Sequence, residues 1–107
     1  MAWRVEYLNQ TVLAEAGALP VDQRARLQRI IELIQVQGLE RVREPHVKHL
    51  EGQLWEMRVS GKSGIARAVY VTAIGKRVVI VRVFVKKTQK TPRPEIELAL
   101  KRAKEVK

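Results

Sequence analysis

Residues 54–86 read LWEMRVSGKSGIARAVYVTAIGKRVVIVRVFVK, and this run decides the fold. Leu54 to Ser60 alternates, with Trp55, Met57 and Val59 toward one face and Glu56 and Arg58 toward the other. Gly61-Lys62-Ser63-Gly64 has the composition of a hairpin loop. Ile65 to Ile74 makes the next strand, Gly75-Lys76 the next tight turn, and Val78 to Val85 the third strand. In that third strand Val79, Val81, Val83 and Val85 are expected on one face. Ile80, Arg82, Phe84 and Lys86 are expected on the other. Loops this short join antiparallel neighbours, so the run is a three-strand meander.

Working outward, the segment 39–53 reads as irregular, with Pro45 and Gly52 as breakers. Before it, Pro20 and Asp22 open a helix. Leu27, Ile30, Ile31 and Ile34 fall at i, i+3, i+4 and i+7 and make one apolar face, and Gly38 closes it. Thr11 to Ala18 fits a shorter helix capped by Thr11, and Trp3 to Leu8 fits an opening strand. At the other end, Thr91 suits an N-cap and Pro92 a first helical position. Ile96, Ala99, Leu100 and Ala103 give that last helix its apolar stripe. Glu95 and Glu97 lie early and Lys101, Arg102 and Lys104 late, as the helix dipole favours. The order is strand, one or two helices, three strands, helix. The expected class is α+β in one domain spanning residues 1–107: a small, mainly antiparallel sheet with helices packed on one face and a C-terminal helix. The valines point at the helices, and the second face is expected to carry Arg58, Arg82, Phe84 and Lys86.

Composition narrows the function. Lys and Arg number 21 against 11 Asp and Glu, a formal net charge of +10, which suits a polyanionic partner. There is no cysteine, so disulfides, thiolate metal sites and a Cys nucleophile are excluded. Two histidines without a ligand-spaced acidic cluster argue against a metal site, and no glycine-rich phosphate loop occurs. No cofactor is expected. The longest apolar runs are too short to span a bilayer, and MAWRVEYLNQ lacks a signal-type apolar core. No membrane association and a cytoplasmic location are the expectations.

The candidate site follows from where the cations meet the strand ends. FVKKTQKTPRPE, residues 84–95, runs a strand directly into Lys86, Lys87 and Lys90. Crowded ammonium groups lower one another's pKa, so such a lysine acts as a base or, still charged, stabilises a phosphorane-like transition state. A collar that only binds phosphate has the same composition. Arg58 and Arg82 are mid-strand cations on the expected open face, and Phe84 beside them suits base stacking if it is exposed and core packing if it is not. Arg67 and Tyr70 are three apart in the middle strand, which puts them on opposite faces. Tyr70 alone is equally a buried tyrosine with a satisfied hydroxyl. His46 and His49, with Lys48 between them, offer acid–base groups, although loop histidines are more often incidental.

HVKHLEGQLWEMRVSGKSGIARAVYV, followed by VFVKKTQKTPRPEIELA, resembles the phage-derived, HigB-like branch of the RelE toxin superfamily. The likeness runs over nearly the whole chain, and the pattern LWE-x-R-V, R-x-x-Y and F-x-K-K-x-x-K-T-P-x-x-E-I is specific. The resemblance implies a toxin of a type II toxin–antitoxin pair with a RelE-like fold. It implies a metal-independent endoribonuclease that enters the ribosomal A site and cuts mRNA by attack of a 2′-hydroxyl on the adjacent phosphate. The implied partners are the ribosome, mRNA and a small HigA-like antitoxin, often with a helix-turn-helix. Carried over residue by residue, Arg58 and Arg67 match strand cations that grip phosphates, Tyr70 a tyrosine near the cleft, and Phe84, Lys86, Lys87 and Lys90 the basic cluster and the position before it. Together with the readings above, Arg67, Tyr70, Lys86 and Lys87 are the catalytic candidates, and Lys48, His49, Arg58, Arg82, Phe84 and Lys90 the RNA-binding ones. The chain departs from relatives that place a His or Tyr near the C-terminus, since it ends LALKRAKEVK. The general base therefore stays open between Lys86, Lys87, Tyr70 and His49. Two rival functions share these residues: gyrase inhibition on the same fold, and basic RNA binding without catalysis.

Overall fold

A computed structural model describes residues 2–42, 46–87 and 90–107. Strand β1 (Arg4–Tyr7) leads into helices α1 (Gln10–Gly17) and α2 (Val21–Gln37) and a short 3-10 turn at Leu39–Arg41. Strands β2 (Val47–Glu51), β3 (Leu54–Gly61), β4 (Gly64–Ala73) and β5 (Arg77–Lys86) follow, then helix α3 (Arg93–Ala103). The five strands form one sheet in the order β1-β5-β4-β3-β2. All neighbours are antiparallel except β1, which runs parallel to β5. This is the expected α+β class, with the meander of residues 54–86 at its centre. No helix among the described residues is long and apolar enough to cross a membrane.

The helices form where periodicity and capping agree. Leu27, Ile30, Ile31 and Ile34 of α2 are buried against β3, β4 and β1. Gly38, at φ 91°, ends that helix in a backbone conformation that few other residues tolerate. Helix α1 starts earlier than expected, because Asn9 and not Thr11 is its cap: the Asn9 Oδ1 accepts the Val12 N–H at 3.0 Å. The hairpin loop at residues 61–64 is fastened to α2 by Asp22. Its carboxylate accepts the Ser63 N–H at 2.8 Å and the Ser63 hydroxyl at 2.7 Å, and these bonds hold the Asp22 carboxyl below its ordinary pKa.

Three expectations change. First, residues 47–51 are not irregular. They form β2, the outer strand beside β3, with Lys48 opposite Glu56 and His49 opposite Trp55. Pro45, expected as a breaker there, lies outside the described residues. Second, β5 does not keep one alternation. Val69 pairs with Arg82 but Tyr70 pairs with Ile80, which leaves Val81 as an extra residue in a bulge. A one-residue insertion swaps the faces beyond it. Val79, Val81 and Phe84 therefore pack in one cluster, and Val78, Ile80 and Val83 in the other.

Third, the second sheet face is not open along its length. Helices α1 and α2 cover one face, and α3 lies on the other, with Ile96, Ala99, Leu100 and Ala103 against Leu54, Val69, Val71, Val79, Val81 and Phe84. Helix α3 also begins one residue later than expected, after Pro92. Pro92 and Pro94 have no N–H to be capped, so the Thr91 hydroxyl is released for another partner.

Candidate functional site

What α3 leaves uncovered is the end of the sheet's second face near β2. A cleft of about 350 Å³ lies there, lined by Lys48, His49, Leu50, Glu56, Arg58, Arg67, Lys86, Lys90, Thr91 and Ile96. Four strands contribute. Lys48 on β2 stands opposite Glu56 on β3, and Arg58 on β3 stands opposite Arg67 on β4. Lys86 ends β5, and Lys90 and Thr91 precede α3. Like charges directly opposite one another on adjacent strands repel. Two arginines in that relation, with Lys48, Lys86 and Lys90 around them, make a local field suited to an anion.

One carboxylate sits inside this field. Glu56 is 4 % exposed, and its Oε1 lies 3.3 Å from the Arg67 Nε. Its Oε2 accepts the Thr91 hydroxyl at 2.8 Å. Arg67 is itself 3 % exposed; burial presses its pKa down, Glu56 opposes that, and Arg58 adds to it. Arginine stays charged under such pressure. Lys86 is pushed below the ordinary lysine value, first by burial and then by Arg67, with Arg58 and Lys48 in the same sense and Glu56 against them.

Of the catalytic candidates, Arg67 and Lys86 come together in this cleft. Tyr70 does not. It faces the α2 side, is 2 % exposed, and lines a second cavity of about 580 Å³ with Leu39, Val42, Val47, Trp55 and Thr72, which meets the cleft only at Lys48 and His49 of β2. Burial pushes its hydroxyl up to about 12. That is the opposite-face placement its spacing from Arg67 implied. Lys87 is exposed and does not line the cleft.

Of the RNA-binding candidates, Lys48, His49, Arg58 and Lys90 line the cleft. The His49 ring meets Trp55 edge-on at 5.0 Å, and its Nε2 lies 2.8 Å from the Gly52 carbonyl, which it reaches as a donor. His46 offers its backbone, its carbonyl accepting the Arg58 N–H at 2.7 Å. Arg82 and Phe84 are corrected. Phe84 keeps the face expected of it, opposite Arg67, but α3 covers that face there, so its ring is 8 % exposed within the second cluster and is core, not a stacking platform. The Arg82 guanidinium lies 5.7 Å from the Phe84 ring centre. It donates to both oxygens of Glu95, at 2.6 and 3.1 Å, and pairs with Glu15 at 2.8 Å. Arg102 joins the same cluster through Glu15 and the Val81 carbonyl. This network clasps α1 and α3 to β5. Thr88 and Gln89, within the basic stretch, lie outside the described residues.

Glu56 was absent from the candidates, although its position in the strand pattern placed it on the Arg58 face. The overlooked signal was a lone acid on the side of the strand that otherwise gathers cations.

The fold has relatives. The crystal structure of an archaeal RelE-RelB complex from Pyrococcus horikoshii OT3 superposes with a TM-score of 0.57 at 22% identity, over 79% of this chain and 96% of that one. The sheet and helices are thus those of the RelE fold. No curated protein matches the sequence. The model of the phage-derived Gp49-like protein family matches residues 14–104, and the chain belongs to that family of RelE/HigB-type toxins.

Proposed function

We propose that the chain is the toxin of a type II toxin–antitoxin pair and a ribosome-dependent mRNA endoribonuclease that works in the Arg58–Arg67–Lys86 cleft. The observation that carries this reading is the position of Lys86. It ends β5 at the rim of the cleft, beside two arginines on adjacent strands, with its proton loosened by burial and by Arg67. Arg58 and Arg67 hold the scissile phosphate and offset the charge that develops on its oxygens. Lys86 takes the proton of the attacking 2′-hydroxyl, which closes on phosphorus as the bond to the 5′-oxygen breaks and that oxygen takes a proton from water. The products are a 2′,3′-cyclic phosphate and a 5′-hydroxyl end. Lys86 is favoured over the other bases by geometry: Tyr70 is on the far face, Lys87 is outside the cleft, and His49 is engaged with Gly52 and Trp55. The ribosome supplies nucleotide positioning that the small cleft does not provide by itself.

The partners of this reading are the ribosome, the mRNA in its A site and a cognate antitoxin of the HigA kind. The superposed structure is a RelE-RelB complex, and this supports an antitoxin here. The site uses no metal and no cofactor, and the protein works in the cytoplasm.

Mapping cleavage ends on ribosomes halted at a defined codon tests the reading. Wild type is expected to cut within the A-site codon, and Lys86→Ala not to. Intact mRNA together with blocked supercoiling by purified gyrase would instead make the protein a gyrase inhibitor on the same fold.

A further inference from the structure

The chain places one acidic side chain among the cations of the cleft, and it is held from both ends. Glu56 is 4 % exposed at the middle of β3; one oxygen lies against Arg67 on β4 and the other accepts from Thr91 at the approach to α3. A carboxylate there opposes binding of a phosphate, because it cancels one of the charges that attract it. Its presence needs a role beyond charge. The start of helix α3 is joined to the sheet by other polar contacts as well, the strongest being the Arg82–Glu95 pair on β5. Arg93 reaches Glu51 at 2.7 Å from an exposed position, and the Thr91 bond is the more buried of the two. Thr91 also follows Lys90 directly, so whatever fixes Thr91 fixes the backbone from which Lys90 enters the cleft.

We infer that Glu56 is the positioning residue of this cleft: its carboxylate orients the Arg67 guanidinium toward bound phosphate and, through Thr91, docks the segment that carries Lys90 against the sheet. Removing it leaves every cation in place and mispoints two of them. The charged and polar groups that line the cleft with Glu56 are Lys48 and His49 from β2, Arg58 from its own strand, Arg67 from β4, Lys86 from β5, and Lys90 and Thr91 from the approach to α3. Among these cations, Glu56 is the counter-charge that keeps the Lys86 proton from loosening further.

The catalytic consequence rests on the ribonuclease reading; the arrangement does not. The test compares wild type, Glu56→Gln, Thr91→Val and Thr91→Ser. In the free protein, the Lys86 side chain is titrated by NMR with lysine labelled at Cε. Its midpoint is expected to fall below wild type in Glu56→Gln and to stay put in Thr91→Val, which changes no charge. On ribosomes, single-turnover cleavage by Glu56→Gln and Thr91→Val is expected to fall about tenfold or more in maximal rate, with half-saturation within about twofold, since misplacement costs rate more than binding. Thr91→Ser keeps the hydroxyl and is expected to restore the rate. Should Glu56→Gln fail to fold, the Thr91 pair decides. A wild-type rate in Thr91→Val, or a Lys86 midpoint unmoved in a folded Glu56→Gln, overturns the inference. If wild type itself cuts nothing, the ribonuclease reading fails, and the Lys86 midpoint still judges the arrangement.

Discussion

Arg58 and Arg67 stand directly opposite each other on β3 and β4, and both line the cleft that also holds Lys86. Two guanidinium groups in cross-strand register repel, and an unliganded protein bears that cost. Bound phosphate relieves it. Arg58→Gln is therefore expected to weaken binding of an uncleavable 2′-O-methyl oligonucleotide and to reduce the slope of log affinity against log salt by about 1. The same variant is expected to melt no lower than wild type. Fluorescence anisotropy at several salt concentrations checks the first point and calorimetry the second.

Arg82 was expected to face RNA, and it is instead spoken for by Glu95 and Glu15. Its pKa is raised above the ordinary arginine value, first by the Glu95 hydrogen bonds. Arg82→Met is expected to destabilise the protein by roughly 2–3 kcal/mol, the buried-pair value discounted for partial exposure. Urea denaturation measures this. Oligonucleotide affinity measured well below the transition should change less than twofold.

Phe84 gives a sharper contrast. As a stacking residue it would affect binding, whereas as core it affects stability. Phe84→Ala is expected to cost roughly 3 kcal/mol or more, the range for deleting a buried aromatic ring. Phe84→Leu, which fills most of the space, is expected to retain most of the stability and all of the binding. A Phe84→Leu protein that is stable yet binds RNA tenfold more weakly would return the ring to the interface.

The elements that were legible in the sequence are those with a clean period. Strand β3 alternates, β4 is an apolar run between glycine-bearing turns, and α2 repeats its isoleucines at helical spacing. Strand β2 carries no such signal: in VKHLE the apolar residues Val47 and Leu50 are three apart, and an edge strand leaves Lys48 and His49 to solvent. The β5 bulge is equally silent, because VVIVRVFV is apolar on both sides and an extra valine changes no pattern. That one residue puts Val79 and Ile80 on the faces opposite to those expected, while the burial of Phe84 comes from α3, whose apolar stripe was legible but not the face it covers. Most of the cleft was nevertheless present in the motifs, since Lys48, Arg58, Arg67, Lys86 and Lys90 were all expected at a site and all line it. What motifs leave open is which face each residue joins. Tyr70 shares a motif with Arg67 and sits across the sheet from it.

The most direct measurement is the pH dependence of single-turnover mRNA cleavage on ribosomes by wild type and by Lys86→Arg. The Lys86 pKa is lowered, so its neutral form accumulates below the 10.5 of an ordinary lysine. Wild-type rates are expected to climb with pH through an inflection below that value. The same shift makes folding stability rise across the window between the lowered pKa and 10.5, where the unfolded chain holds the extra proton, and fall as pH drops through it. Lys86→Arg keeps the charge but cannot surrender a proton. Its rate is expected to be about a hundredfold lower, within the range of general base catalysis, and flat with pH. A Lys86→Arg protein that cuts at the wild-type rate with the wild-type profile would contradict the assignment of Lys86 as the base.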